Sequence, residues 1–337
     1  MKGVCLNSAN DVCIKEVEQP KAKENEVVIK VKSLGVCGSD VGAYRGTNPL
    51  VTYPRIIGHE IAGIVTKVPE NNLDIKVNDR VIIEPYIYCG DCYPCSLGRT
   101  NCCEELKVLG VHVDGGMVEE FAHPIHLVKK VPKNIPWEEV PLAEPLTIAL
   151  HSLHRSRVKE GEHVVICGAG PIGVMAGLVA QVYGAEPILI DPVQSRLDFA
   201  KNQGIKYTVN PVSENAVEVI KEITKGRMAE AVIEASGANA SIKSMMDYAS
   251  YAGRISLVGW PKGEISILTS MITKKELDIV GSRTSSGEFE EALELISSKK
   301  VDVKPFISSI VPLEGVPEAL VDLSEHPDKY MKIVAVL

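Results

Sequence analysis

The run Val164-Val165-Ile166-Cys167 leads directly into Gly168, Gly170 and Gly173, arranged GAGPIG, and then into an apolar segment of helix length. A short buried strand that turns on glycines into a helix opens a parallel α/β layer, because the turn must be tight and the helix must lie close on the strand. Pro171 suits the first helical turn, where its missing N–H costs nothing. The next strand pattern, EPILID, ends at Asp191, 23 residues after Gly168. A carboxylate there accepts hydrogen bonds from an adenosine ribose, while the glycine turn brings backbone N–H groups and a helix N-terminus up to a pyrophosphate. The pattern predicts a dinucleotide site with Gly168, Gly170, Pro171 and Gly173 at the phosphates. A 2′-phosphate carrying close to two negative charges would face Asp191, so NAD is expected over NADP. Arg196, five residues on, either lies over the adenine or pairs with Asp191.

The surrounding pattern sets the organisation of the chain. From about Ala149 to Arg283, strands such as AEAVIEA and RISLVGW alternate with amphipathic segments of helix length, the rhythm of a parallel sheet with crossover helices. From Met1 to about Pro145 the apolar runs are short, β-branched and broken by turns: EVVIKVKSLGV, GHEIAGIVTKV and DRVIIEP. After Arg283 come a helix pattern, GEFEEALELISSKK, and a strand-like tail, MKIVAVL, that resembles the first half more than the middle. The expectation is α/β: a doubly wound parallel sheet over 149–283, and a mostly-β domain built from 1–148 and 284–337.

Charge and hydropathy restrict the partners. The net charge is −8, with no basic stripe and no run of eighteen apolar residues, which argues against nucleic-acid and membrane partners and for a small-molecule one. The opening MKGVCLNSAN lacks the apolar core of a secretory signal, so a reducing, cytoplasmic setting is expected.

In that setting cysteines favour metal over disulfide. Cys89, Cys92, Cys95 and Cys103 lie in CGDCYPCSLGRTNCC, a spacing that lets four thiolates close on one structural zinc, with Cys102 as an alternative fourth donor. Cys37 in GVCGSD, His59 and Glu60 in GHE, and Glu144 in AEPLTIALHS are each ordinary when read alone: a small buried thiol, a turn histidine, a helix N-terminal carboxylate. Together they are the thiolate, imidazole and carboxylates of a zinc that keeps a position open for chemistry. Spacing alone does not bring them together. Cys5, Cys13 and Cys167 read as core thiols, Lys274, Lys275 and Glu276 as solvated surface, and Trp137 as packing.

In this order, and over essentially the whole chain, the motifs resemble the zinc-dependent medium-chain alcohol dehydrogenases. The polyol and sugar-acid branch is most similar, with VLGVHVDGG around His112 and GRTNCC around Cys103 most like L-galactonate-type oxidoreductases, alongside sorbitol dehydrogenases. The resemblance implies a GroES-like catalytic domain from both chain ends, a Rossmann domain between them, assembly as a homodimer or homotetramer, and two zinc ions per chain. It implies that Cys37, His59 and Glu60 ligate catalytic zinc, with Glu144 exchanging against water or substrate. Ile172, Asp191, Arg196, Val258, Gly259, Trp260, Ser282 and Arg283 fall where such enzymes touch NAD. The implied reaction is hydride transfer from a secondary alcohol to NAD in the cleft between the domains, with Ser39 passing the proton toward the nicotinamide ribose while also serving as a helix N-cap. An NADH-driven reductase and a non-catalytic NAD- and zinc-binding protein are the alternatives. Two positions depart from the family. Gly42 stands where most members have a relay histidine, leaving water, Tyr44 or His112 to substitute, and Tyr86 stands where threonine dehydrogenases have histidine, which makes threonine a poor substrate.

Overall fold

Strand Glu26–Val36 is buried along nearly all of its length and organises the first unit of the computed structural model, which describes residues 1–261 and 263–337. One edge pairs antiparallel with Glu60–Lys67. The other is shared, with Glu120–Pro124 against residues 26–30 and the C-terminal strand Lys332–Val336 against residues 33–36. The apolar tail therefore returns to the N-terminal half, as its strand-like period predicts. Arg80–Ile83 and Val128–Lys130 extend this seven-stranded sheet on one side and Ile307–Val311 on the other. Ile29, Leu34, Ile61 and Val65 are fully buried in its core, each worth about 1.5–3 kcal/mol of transfer out of water. The unit comprises Met1–Glu144 with Phe289–Leu337.

The second unit, Pro145–Glu288, holds six parallel strands: His163–Cys167, Glu186–Ile190, Tyr207–Val209, Ala229–Glu234, Ala249–Leu257 and Asp278–Gly281. Their apolar runs are almost unbroken because helices cover both faces of such a sheet. In space the third, second and first strands are followed by the fourth, fifth and sixth. The order reverses between His163–Cys167 and Ala229–Glu234, which opens a crevice at the carboxyl ends of those two strands. Helix Pro171–Val182 lies close on the sheet: a Cβ at Gly177 would stand 3.0 Å from both Ile205 and Leu189.

Lys275, read as solvated surface, and Cys13, read as a core thiol, are both corrected. Lys275 is half-buried, its Nζ donating to the carbonyls of Met246 and Ala249 at 2.7 Å each, so it ties helix Thr269–Lys275 to the sheet. Cys13 is only half-buried because its strand, Asp11–Glu16, is the outer one of a three-stranded sheet, whereas Cys5 and Cys167 are buried as expected. Trp137 packs under the Arg80 guanidinium, 4.2 Å from its ring centre. Among the described residues, no helix is long and apolar enough to cross a membrane.

Candidate metal centres and nucleotide crevice

Strand register brings the dispersed donors together. Gly35 lies opposite Glu60, so Cys37, two residues past Gly35, and His59, one before Glu60, emerge at the same end of the sheet. One ligand atom from each of Cys37, His59 and Glu60 falls within 4.8 Å of the others. Cys37 caps helix Gly38–Tyr44, and the Asp40 carboxylate accepts from the Cys37 N–H at 2.9 Å, closing a capping box. The cap is thus Cys37 rather than Ser39. Ser39 sits in the first turn, its Oγ 3.4 Å from His59 Nε2.

Glycine at 35 is required by the site. A Cβ there would stand 1.8 Å from Glu60 Oε2. Glu60 is fully buried, and Lys332 Nζ donates to its other oxygen at 2.6 Å and to the Val36 carbonyl at 3.4 Å. Burial opposes charge on Lys332, but Glu60 and Cys37 outweigh it and hold the ammonium pKa above its ordinary value. Burial likewise pulls the His59 imidazole down, yet Cys37 and Asp40 prevail and its pKa stands well above the ordinary histidine value. Asp40 Oδ1 is 3.9 Å from His59 Nδ1, and burial raises its carboxyl pKa.

Glu144 does not join the group of three. It lies buried in the first turn of helix Ala143–Ser156, accepts a hydrogen bond from the Tyr86 hydroxyl, and burial raises its pKa against the pull of His59. Burial, together with Glu144, also holds the Tyr86 phenol well above its usual pKa. His112 Nδ1 accepts from the Val108 N–H at 3.1 Å, closing its own turn. Asp40 and Lys332 escaped the sequence reading. Asp40 was detectable from its capping-box spacing to Cys37, but Lys332, at the head of an apolar run, carries no local signal.

Both donor sets fit zinc. Among the described residues Glu60 Oε2 is buried with no hydrogen-bond partner, a cost of about 1–3 kcal/mol that a cation held by this group would offset. The sulfurs of Cys89, Cys92, Cys95 and Cys103 also lie within 4.8 Å of one another. Cys103 Sγ is 3.5 Å from Cys89 Sγ and 3.9 Å from Cys92 Sγ, close to the S···S edges of about 3.8 Å that tetrahedral zinc imposes with bonds of about 2.3 Å. Cys102 lies outside the set, on the turn Thr100–Cys102. All nine cysteines are unpaired.

In the second unit Gly168 has φ +104°, and a Cβ at Gly173 would stand 1.8 Å from the Gly168 carbonyl oxygen, so the first and third glycines are sterically required. Gly170 caps the helix that Pro171 begins, and Ile172 is half-buried beside it. Asp191, buried at the end of the next strand, accepts from the N–H groups of Ala169 at 2.7 Å and Val193 at 2.8 Å. Arg196 Nη1 is 3.9 Å from Asp191 Oδ2. The Val258 and Gly259 N–H groups both donate to the Glu234 carbonyl at 2.9 Å, Trp260 is exposed, Ser282 N–H donates to the Leu257 carbonyl at 2.8 Å, and Arg283 is half-buried.

A doubly wound sheet with a glycine turn and a strand-end carboxylate is the build of a nucleotide-dependent oxidoreductase. The thiolate, imidazole and carboxylate group narrows the class to metal-dependent ones. Residues 171–298 match the zinc-binding dehydrogenase family and residues 23–133 the alcohol dehydrogenase GroES-like domain. The chain is 58% identical over its full length to a zinc-type alcohol dehydrogenase-like protein of Haemophilus influenzae, spanning 98% of that protein. It is 34% identical to the 2-dehydro-3-deoxy-L-galactonate 5-dehydrogenase of Pseudoalteromonas atlantica, over 92% of this chain and 91% of the other. A crystal structure of the Escherichia coli alcohol dehydrogenase RspB complexed with NADH superposes with a TM-score of 0.94 at 33% identity, over 100% of this chain and 99% of that one. The chain belongs to the zinc-type medium-chain alcohol dehydrogenase family, NAD-dependent oxidoreductases acting on CH–OH groups, with its Rossmann sheet and GroES-like unit as expected.

Proposed function

We propose that this protein oxidises a secondary hydroxyl of a polyol or sugar acid, an aldonate such as L-galactonate, to a ketone with NAD. One zinc would be held by Cys37, His59 and Glu60 and a second by Cys89, Cys92, Cys95 and Cys103. The observation that carries the reading is the meeting of Cys37, His59 and Glu60, one ligand atom from each within 4.8 Å of the others. When bound, zinc lowers the pKa of a hydroxyl it polarises, and NAD takes up the hydride.

The protein's own groups hold and orient. Cys37, His59 and Glu60 supply three donors and leave a fourth position for the substrate oxygen. Lys332 engages one Glu60 oxygen and leaves the other without a hydrogen-bond partner among the described residues. Glu144, held by Tyr86, is the carboxylate we assign to exchange at the open position. We assign the outgoing proton to Ser39 Oγ; with Gly42 in place of histidine, the path onward runs through water or Tyr44. Gly168, Gly170, Pro171, Ile172 and Gly173 would take the pyrophosphate and Asp191 the adenosine ribose, with Arg196, Val258, Gly259, Trp260, Ser282 and Arg283 around the rest of NAD. The sugar-acid substrate of the Pseudoalteromonas relative supports the substrate class. A cytoplasmic homodimer or homotetramer completes the reading.

The test is NADH formation by the zinc-replete protein across hexitols, pentitols, aldonates, hexuronates, threonine and simple alcohols, with the matching ketones tried in reverse. Activity concentrated on a polyol or sugar acid is expected. Activity confined to simple alcohols or threonine, or none in either direction with NAD still bound, contradicts the proposal.

A further inference from the structure

Glu234 ends the strand at which the parallel sheet reverses, and its carboxylate is fully buried with no basic side chain paired to it among the described residues. Its charge is met by dipoles instead. Oε1 accepts from the Ser236 N–H at 3.1 Å, from the Ser236 hydroxyl and from Ser241 Oγ at 2.8 Å, and the Gly237 N–H reaches Oε2 at 3.0 Å. Its backbone carbonyl accepts from Val258 and Gly259. One residue therefore ties down both loops at the carboxyl ends of the fourth and fifth strands, 235–238 and 258–260.

The two loops are locked backbone against backbone. Gly237 has φ +66°, and a Cβ there would stand 2.8 Å from the Trp260 carbonyl oxygen; one at Gly259 would stand 2.1 Å from Gly237 N and 2.7 Å from Glu234 Oε2. The assembly also abuts the phosphate turn, since a Cβ at Gly168 would lie 3.2 Å from Ser236. A doubly wound sheet binds one mononucleotide half of a dinucleotide on each side of its reversal. The first three strands carry the glycine turn and Asp191, so the adenosine half lies there. The loops that Glu234 holds border the other half.

We propose that Glu234 is the positioning residue for the nicotinamide half of NAD, setting the two loops on which that half rests while leaving the adenosine half to Gly168–Gly173 and Asp191. The inference rests on the dinucleotide reading of this sheet. Glu234→Gln keeps the size but turns an NH2 toward N–H and O–H donors. Gly259→Ala displaces the same loops from the opposite side, and Ser241→Ala removes a single donor.

The experiment measures NAD and AMP dissociation constants for the zinc-replete full chain and the three variants. The account expects Glu234→Gln and Gly259→Ala to weaken NAD roughly tenfold or more, the loss on breaking a charge-assisted network, with AMP held within about twofold and Ser241→Ala showing a smaller NAD-selective loss. Equal weakening of NAD and AMP means Glu234 merely holds up the sheet, and unchanged NAD affinity means the loops do not position the cofactor; either overturns the proposal. Should Glu234→Gln not fold, the other two variants decide in the same terms. A parent chain that binds AMP but not NAD removes the dehydrogenase reading itself, an outcome distinct from a variant effect.

Discussion

Lys332 and Glu60, 272 residues apart, form a buried ion pair, Nζ to Oε1 at 2.6 Å, with side chains 4% and 0% exposed. The C-terminal strand thereby places a cation directly behind the group made by Cys37, His59 and Glu60. Removing one partner of such a pair leaves an uncompensated buried charge. Lys332→Met is expected to cost about 3 kcal/mol in urea unfolding, and Lys332→Met with Glu60→Gln to recover at least half of that. A single-variant loss below about 1 kcal/mol would mean that the pair is not what holds Glu60.

The cysteine loop makes a sharper distinction. Because Cys103 turns its sulfur into the cluster and Cys102 does not, Cys103→Ser should lose one zinc equivalent per chain by elemental analysis and Cys102→Ser none. Equal losses would refute the assignment of the fourth donor.

His123 links stability to pH. It is fully buried, its Nε2 2.9 Å from the Glu84 carbonyl oxygen, and burial lowers its pKa from 6.5 to about 4. The unfolded chain takes up this proton first as pH falls. The folded state is therefore favoured above pH 6.5 and loses that advantage between pH 6.5 and about 4, by about 3 kcal/mol in all. His123→Asn should flatten that part of the urea-midpoint profile; an unchanged slope would assign the pH dependence to other groups.

Asp191 bears on cofactor choice. Its carboxylate takes N–H groups from both Ala169 and Val193 and lies at the strand end where a ribose would sit. Asp191→Ser should raise KM for NAD about tenfold and move kcat/KM toward NADP. Retained preference for NAD would place the discrimination elsewhere.

The parallel layer was legible because its signals are local: a glycine turn must follow its strand, and a carboxylate must end the next one. The return of MKIVAVL to the N-terminal sheet was readable from its period, although its partner was not. Cys37, His59 and Glu60 were recognisable as donor types, but their meeting depends on the Gly35–Glu60 register, which no local window encodes. The Lys332–Glu60 pair, the Tyr86–Glu144 hydrogen bond and the bonds from Val258 and Gly259 to the Glu234 carbonyl are contacts between distant strands and loops, so the sequence shows the residues without their partners. Cys13 and Lys275 were misread for the converse reason: an apolar context can sit on an outer strand, and a charged run can aim one ammonium at buried carbonyls.

The central claim is that Cys37, His59 and Glu60 hold a zinc on which alcohol oxidation depends. Zinc content, NAD affinity and NADH formation measured together on the parent chain and Cys37→Ser test it most directly. The account predicts about two zinc ions falling to one, loss of NADH formation and unchanged NAD affinity. Equal zinc content in the two proteins, or NADH formation that survives the substitution, would contradict it.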